Sequence, residues 1–143
     1  MTRINLVDPS ELSDQHLVAE YREIFMVGSS LQRSLKSKNW GKTLANIPKK
    51  YTLNKGHVTF FYNKGKYLYK RYELLIKEMK NRGMNPDSER KFKTEQWPDE
   101  LFNDWEPEPD DYNVIRARIK EKIEMKPEWY RFTKEQYVTN LKT

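Results

Sequence analysis

The sequence predicts an all-α fold, one domain of three main helices joined by long loops. Three observations support that expectation. Apolar residues recur at threes and fours in three separate stretches, with start and stop residues where helices need them. The one strand-like segment, "HVTFFY" at 57–62, is too short and isolated to support a sheet. A chain of 143 residues can bury one modest core but not two, so residues 1–143 read as a single domain.

The first helix is expected to begin in "VDPSELSDQHLVAEYREIF". Asp8 is its N-cap, Pro9 fits the first helical position, and Glu11 sits where a capping-box acid belongs. Leu12, Leu17, Val18, Tyr21, Ile24 and Phe25 form its apolar stripe, which continues through Gly28 to Leu31 and Leu35. Residues 39–62 are mixed and turn-rich, with Gly41, Pro48 and Gly56. A second helix runs through "YLYKRYELLIKEMKNRG", where Leu68, Tyr72, Leu75, Ile76 and Met79 face one way and Gly83 is the stop. Residues 84–110 form a long loop with Pro86, Pro98, Pro107 and Pro109, a length that marks function or disorder. A third helix takes "DYNVIRARIKEKIEMK", with Ile115, Ile119 and Ile123 on an i+4 row and Pro127 ending it. The tail that follows, "EWYRFTKEQY", is aromatic and basic.

Composition narrows the function. The chain is 36% hydrophobic and 34% charged, yet 13% aromatic, which is too aromatic for a disordered chain. With no Cys, disulfides, zinc fingers and thiol nucleophiles are excluded. No apolar run approaches the roughly 18 residues of a membrane span, and the start lacks a signal-peptide core. A soluble intracellular protein with no membrane partner is therefore expected. The net charge is +6, unevenly spread. Residues 31–82 hold fourteen Lys or Arg against two Glu, interleaved with Tyr51, Tyr62, Tyr67, Tyr69 and Tyr72. Such a belt fits a nucleic-acid surface, and less well a merely solvated face. Residues 96–112 hold seven acids and no base, as a surface loop facing away from phosphate would.

Little metal or nucleotide chemistry is available. His16 and His57 are the only histidines. Pro109-Asp110 with Glu124-Met125-Lys126 matches the outline of a magnesium-nuclease motif. Here, however, both acids fall on one predicted helix, about 20 Å apart. "GKT" at 41–43 lacks the upstream glycine of a phosphate-binding loop, since position 36 is Lys.

A better nucleophile lies at the start, "MTRINL". A small second residue permits removal of Met1, which would give Thr2 a free α-amine. Such an amine has a pKa of about 7.7–8.0, so a useful fraction is neutral at pH 7. The cation Arg3, and Arg22 if it lies near, would lower that pKa further. An amine attacks an acetal-like or carbonyl carbon and forms an imine that supports elimination. That chemistry needs an acid/base partner, and Glu11, Glu20 and Glu23 are the candidates. Gln15, Arg22 and, less well, Glu23 share the polar face opposite Leu17 and Ile24, which suits a working face or a solvated one equally.

"MTRINL", "ELSDQHLVAEYRE", "GHVTFFY", "IRARIKEKIEMKP" and "WYRF", in this order, closely resemble the pyrimidine-dimer DNA glycosylase/AP lyase family. The resemblance runs from Met1 to about Phe132 and is weakest over 24–55 and 84–110. It implies a compact, mostly helical domain with an N-terminal arm threading between the helices. It implies an enzyme that cleaves the glycosidic bond of the 5′ base of a cyclobutane pyrimidine dimer, then cuts the strand by β-elimination. No metal or other cofactor is implied. The partner is double-stranded DNA containing dimers or abasic sites, bound by a monomer. By resemblance, Thr2 supplies the amine and Glu23 the essential carboxylate. Arg3, Gln15, His16 and Arg22 line the site and grip the kinked backbone. Arg118 and Lys122 match a phosphate-binding pair, and Trp129 and Tyr130 an aromatic motif at the lesion. The sequence departs from the family at Met26, where a further Arg is known; that contact is lost or supplied elsewhere, for example by Arg33.

Overall fold

A computed structural model of the chain describes residues 3–133. Over that range the fold is all-helical and compact, with five α-helices: α1 (Asp14–Leu35), α2 (Trp40–Ala45), α3 (His57–Phe60), α4 (Gly65–Asn81) and α5 (Pro109–Met125). Short 3-10 turns punctuate the connections. Among the described residues no helix is long and apolar enough to cross a membrane.

The first helix starts later than the sequence predicts. Asp8 does cap a turn, accepting from Ser10 N–H at 2.9 Å, but Pro9–Glu11 is a 3-10 turn that ends at Leu12. Leu12 takes an extended backbone and is fully buried. Ser13 then caps α1, accepting from His16 N–H at 3.1 Å. Glu11 serves no capping box; it points outward and grips Arg116 of α5. Sinking Leu12 into the core breaks the run, and a second cap restarts it.

α1 and α4 pack against each other. The buried stripe of α1 is Leu17, Glu20, Tyr21, Ile24, Val27, Gly28 and Leu31, and that of α4 includes Leu68, Arg71, Tyr72, Leu75 and Met79. Gly28 sits where a Cβ would lie 2.1 Å from Gln96 Oε1 and 3.0 Å from the Trp97 ring. The 84–108 connection can therefore lie directly on the α1 backbone. α4 ends as predicted: Gly83 takes φ 81° and Met84 N–H bonds Met79 O at 2.9 Å.

Residues 39–62 are more helical than their composition predicts. "HVTFFY" forms α3 and a following 3-10 turn, not a strand. The chain reverses through Asn54 (φ 61°) and Gly56 (φ 88°), and among the described residues no strand lies beside it. Its backbone bonds locally instead, beginning with Phe60 N–H to Gly56 O at 2.9 Å. His57, Phe60 and Phe61 are buried at i, i+3 and i+4, the spacing of one helical face, and Tyr62 is buried beside them. The 84–108 connection belongs to the core through Phe92, Trp97 and Leu101, with Phe92 and Trp97 stacked at 5.1 Å.

Two buried ion networks tie these pieces together. Arg71 meets Glu20 through Nε at 2.6 Å and Nη2 at 3.0 Å, and its Nη1 donates to Val7 O. Arg82 bonds Glu78 at 2.8 Å, Asp14 at 2.9 Å, and the carbonyls of Pro9 and Leu12. The second network closes the break that Leu12 opened.

Arg71→Met should cost about 3–5 kcal/mol in denaturant unfolding, since it strands a buried carboxylate. His57 adds a pH dependence. Its Nδ1–H donates to Thr52 O and its Nε2 accepts from Ile4 N–H, both at 2.8 Å, so the buried ring must be neutral. Burial, chiefly, holds its pKa below the usual value. The associated stability is complete above about pH 6.5 and is lost as pH falls through the folded pKa, by up to about 1.4 kcal/mol per unit. Unfolding midpoints at pH 7.5 and 5.5 should differ more for the unaltered chain than for His57→Gln.

Candidate active site

Among the described residues no strand lies beside residues 3–5, and side chains take their backbone donors. Arg3 N–H bonds Glu23 Oε1 at 3.1 Å, Ile4 N–H bonds His57 Nε2, and Asn5 N–H bonds Glu20 Oε1 at 3.2 Å. Tyr51 O–H donates to Ile4 O at 2.7 Å. The spacing explains the match. In extended chain, alternate donors point to opposite sides, and residues two apart lie about 6.6 Å from each other. Carboxylates three apart on a helix share a face at about 5–6 Å. Glu20 and Glu23 therefore take the odd residues, while His57 takes the even one from the other side. After Asn5 the chain turns sharply at Leu6, which has φ 59°.

Arg3, Asn5, His16, Ala19, Glu20, Glu23, Lys122 and Tyr130 line an open cleft of about 250 Å³. The three candidate carboxylates have different surroundings. Glu11 is exposed and bidentate to Arg116. Glu20 is 1% exposed and accepts from both the backbone and side chain of Asn5 and twice from Arg71. Glu23 is half-buried in the cleft and accepts only the Arg3 N–H among the described residues. Burial raises its pKa, and Arg3, through its N–H and its charge, opposes part of that rise. A carboxylate held this way exchanges protons nearer to neutral pH than a surface one.

His16 forms another wall. Its Nδ1 lies 2.9 Å from Ser13 Oγ, and its ring stacks on Tyr130 at 4.7 Å and 8°. Burial first, then the Arg3 charge, pushes its pKa below the usual value, which favours the neutral ring. Lys122 reaches the cleft from α5. Arg118, one turn earlier, lies beside Asn54, with Nη1 to Oδ1 at 3.4 Å, and 3.9 Å from Glu121.

Of the residues singled out in the sequence, Arg3, His16, Glu20, Glu23, Lys122 and Tyr130 share the cleft. Gln15 and Trp129 flank it: Gln15 bonds the backbone of 129 and 131, and Trp129 stands edge-on to Tyr130 at 4.9 Å, 57% exposed. Arg22 is exposed on α1, and Arg118 lies outside the lining. Thr2 lies outside the described residues. Arg33 lines a separate groove of about 460 Å³ with Met26 and Arg90, and Arg90 lies 4.3 Å over the Phe25 ring. Asp110 and Glu124 sit near opposite ends of α5, about 20 Å apart, so they cannot share an ion. No group of three or more His, Asp or Glu among the described residues could hold a metal. Asn5, Tyr51, His57 and Arg71 support the site without having been recognised in the sequence. His57 alone had a local signal, as the one residue of the aromatic motif at 57–62 whose ordinary pKa lies near neutral pH.

A protein family described as pyrimidine dimer DNA glycosylase matches the chain over residues 1–92. The match spans Arg3, His16, Glu20, Glu23, His57 and Arg71, while Lys122 and Tyr130 lie beyond it.

Proposed function

The chain belongs to the pyrimidine dimer DNA glycosylase family, and we propose that it cleaves the glycosidic bond of the 5′ base of a cyclobutane pyrimidine dimer and then nicks the strand by β-elimination. The nucleophile in this reading is the α-amine of Thr2, freed by loss of Met1. One observation supports it above the rest: Arg3 N–H is bonded to Glu23 at 3.1 Å on the wall of the cleft. Covalent geometry keeps the α-nitrogen of the preceding residue within about 4 Å of the Arg3 nitrogen, whatever its torsions. An amine there is tethered within about 7 Å of the Glu23 carboxylate, a gap that a deoxyribose can bridge.

The chemistry balances as follows. The amine lone pair attacks C1′, the glycosidic bond breaks, and the base leaves with the bonding electrons. The base takes up a proton, the sugar ring opens, and the nitrogen becomes an iminium on C1′. A proton is then lost from C2′, the 3′ phosphate leaves, and water releases the imine. Glu23, ionised, stabilises the cationic sugar and relays the protons. Arg3 lowers the amine pKa and faces the phosphates with Arg22, Arg118 and Lys122. The partner is duplex DNA bearing dimers or abasic sites. A dimer stacks weakly, so opening the duplex there costs less than the few kcal/mol of an intact step.

Borohydride added during reaction should trap a covalent complex between the protein and dimer-containing duplex, in the presence of EDTA. An uncleaved N-terminal extension should abolish trapping. Protein whose intact mass shows Thr2 as its first residue, yet which neither traps nor cuts, would overturn the reading and leave a DNA-binding module. Glu23→Gln should keep binding to damaged duplex and lower cleavage by about 10²–10⁴-fold, the usual worth of a positioned acid/base group. Cleavage by the unaltered protein should fall toward acid pH, because carboxylate and amine must both be unprotonated. A Glu23→Gln variant that cuts normally would assign the role to another group.

A further inference from the structure

The peptide groups on either side of Tyr130 bond to a single side chain. Gln15 Nε2 donates to Trp129 O at 2.6 Å, and Arg131 N–H donates to Gln15 Oε1 at 2.9 Å. A neighbouring parallel strand bonds in the same pattern, the N–H and C=O of one residue reaching the carbonyl before a residue and the N–H after it. No strand lies there among the described residues, and the glutamine amide takes its place. The adjacent residue extends the clamp. Asp14 N–H donates to Arg131 O at 2.7 Å, and the Asp14 carboxylate accepts from the N–H and the hydroxyl of Thr133. Asp14 is itself held by Arg82 at 2.9 Å, from the end of α4. Between these anchors the Tyr130 ring lies flat on His16 and lines the Glu23 cleft.

We propose that Gln15 is a positioning residue: it fixes the backbone on both sides of Tyr130, so that this ring walls the cleft and Trp129 faces outward. It acts on the lesion through that strap and not by gripping DNA. Both functional ends of its amide are engaged with the strap. Alternatives of similar size cannot replace it. Glutamate keeps the acceptor for Arg131 but loses the donor and sets a carboxylate against the Trp129 carbonyl. Asparagine is one methylene short.

The proposal rests on the functional reading for the purpose of the wall, but its geometry is tested without DNA. Amide hydrogen exchange on the full chain should show the Arg131 N–H exchanging about tenfold faster in Gln15→Ala, the worth of one to two lost hydrogen bonds. The Ile4 N–H, held by His57, should keep its rate and serve as the control for overall folding. In Gln15→Glu the strap should loosen too, since one of the two bonds is lost. With dimer-containing duplex, both variants should lose at least about tenfold in cleavage, while affinity for undamaged duplex changes less than twofold. Unchanged exchange at Arg131 would overturn the clamp. A loss of undamaged-duplex affinity as large as the loss of cleavage would make Gln15 a DNA contact instead. If the unaltered protein proved unable to trap DNA, the functional reading would fall while the exchange data still decided the clamp.

Discussion

A buried carboxylate organises this protein. Glu20 interrupts the apolar stripe of α1, is 1% exposed, and accepts four hydrogen bonds, two from Asn5 and two from Arg71. A charge so far from water is tolerable only when paired and fully bonded. Meeting that requirement joins three separate pieces of chain: α1, α4 and the residues that precede the first turn. Arg71 extends the reach by donating to Val7 O, so the same pair holds the N-terminal segment at two points. The position of Arg3, and with it the bond to Glu23, follows from this anchoring.

The cleft joins a rigid floor to a wall that crosses from far along the chain. The floor is α1, where Glu20 is saturated and Glu23, three residues later, keeps bonding capacity. Two carboxylates on one helical face thus divide their work: one secures the backbone and the other is left for chemistry. The wall is the segment after α5, laid across the start of α1 and bonded to Asp14 and Gln15. Positive charge surrounds the opening through Arg3 and Lys122, with Arg118 one turn away. That arrangement suits the proposed attack on a sugar between phosphates.

Local features were legible where the physics is local. The stop at Gly83 needs only a positive φ, and the sequence marks it. The row from Ile115 and the stripe through Gly28 are periodic, and periodicity survives folding. The start of α1 was not legible. Asp8, Pro9 and Glu11 make a good helix start, but burying Leu12 outweighed the cap, and Ser13 supplied a second one. "HVTFFY" has strand propensity but is too short and isolated for a sheet, and among the described residues it bonds locally as a helical turn instead. The long loop after Gly83 is legible as a loop, but its part in the core is not, since Phe92, Trp97 and Leu101 show no period that reveals their burial.

By itself the sequence determined the helical class, the stop of α4 at Gly83, the basic character and the family, because each of these follows from residue type and short spacing. Only the tertiary structure decided which glutamate is committed to the framework, which one opens onto the cleft, and what holds residues 3–5. Those outcomes depend on desolvation and on partners dozens of residues away, such as Arg71 for Glu20 and His57 for Ile4. No local pattern encodes such distant pairings; they exist once the core has closed around them.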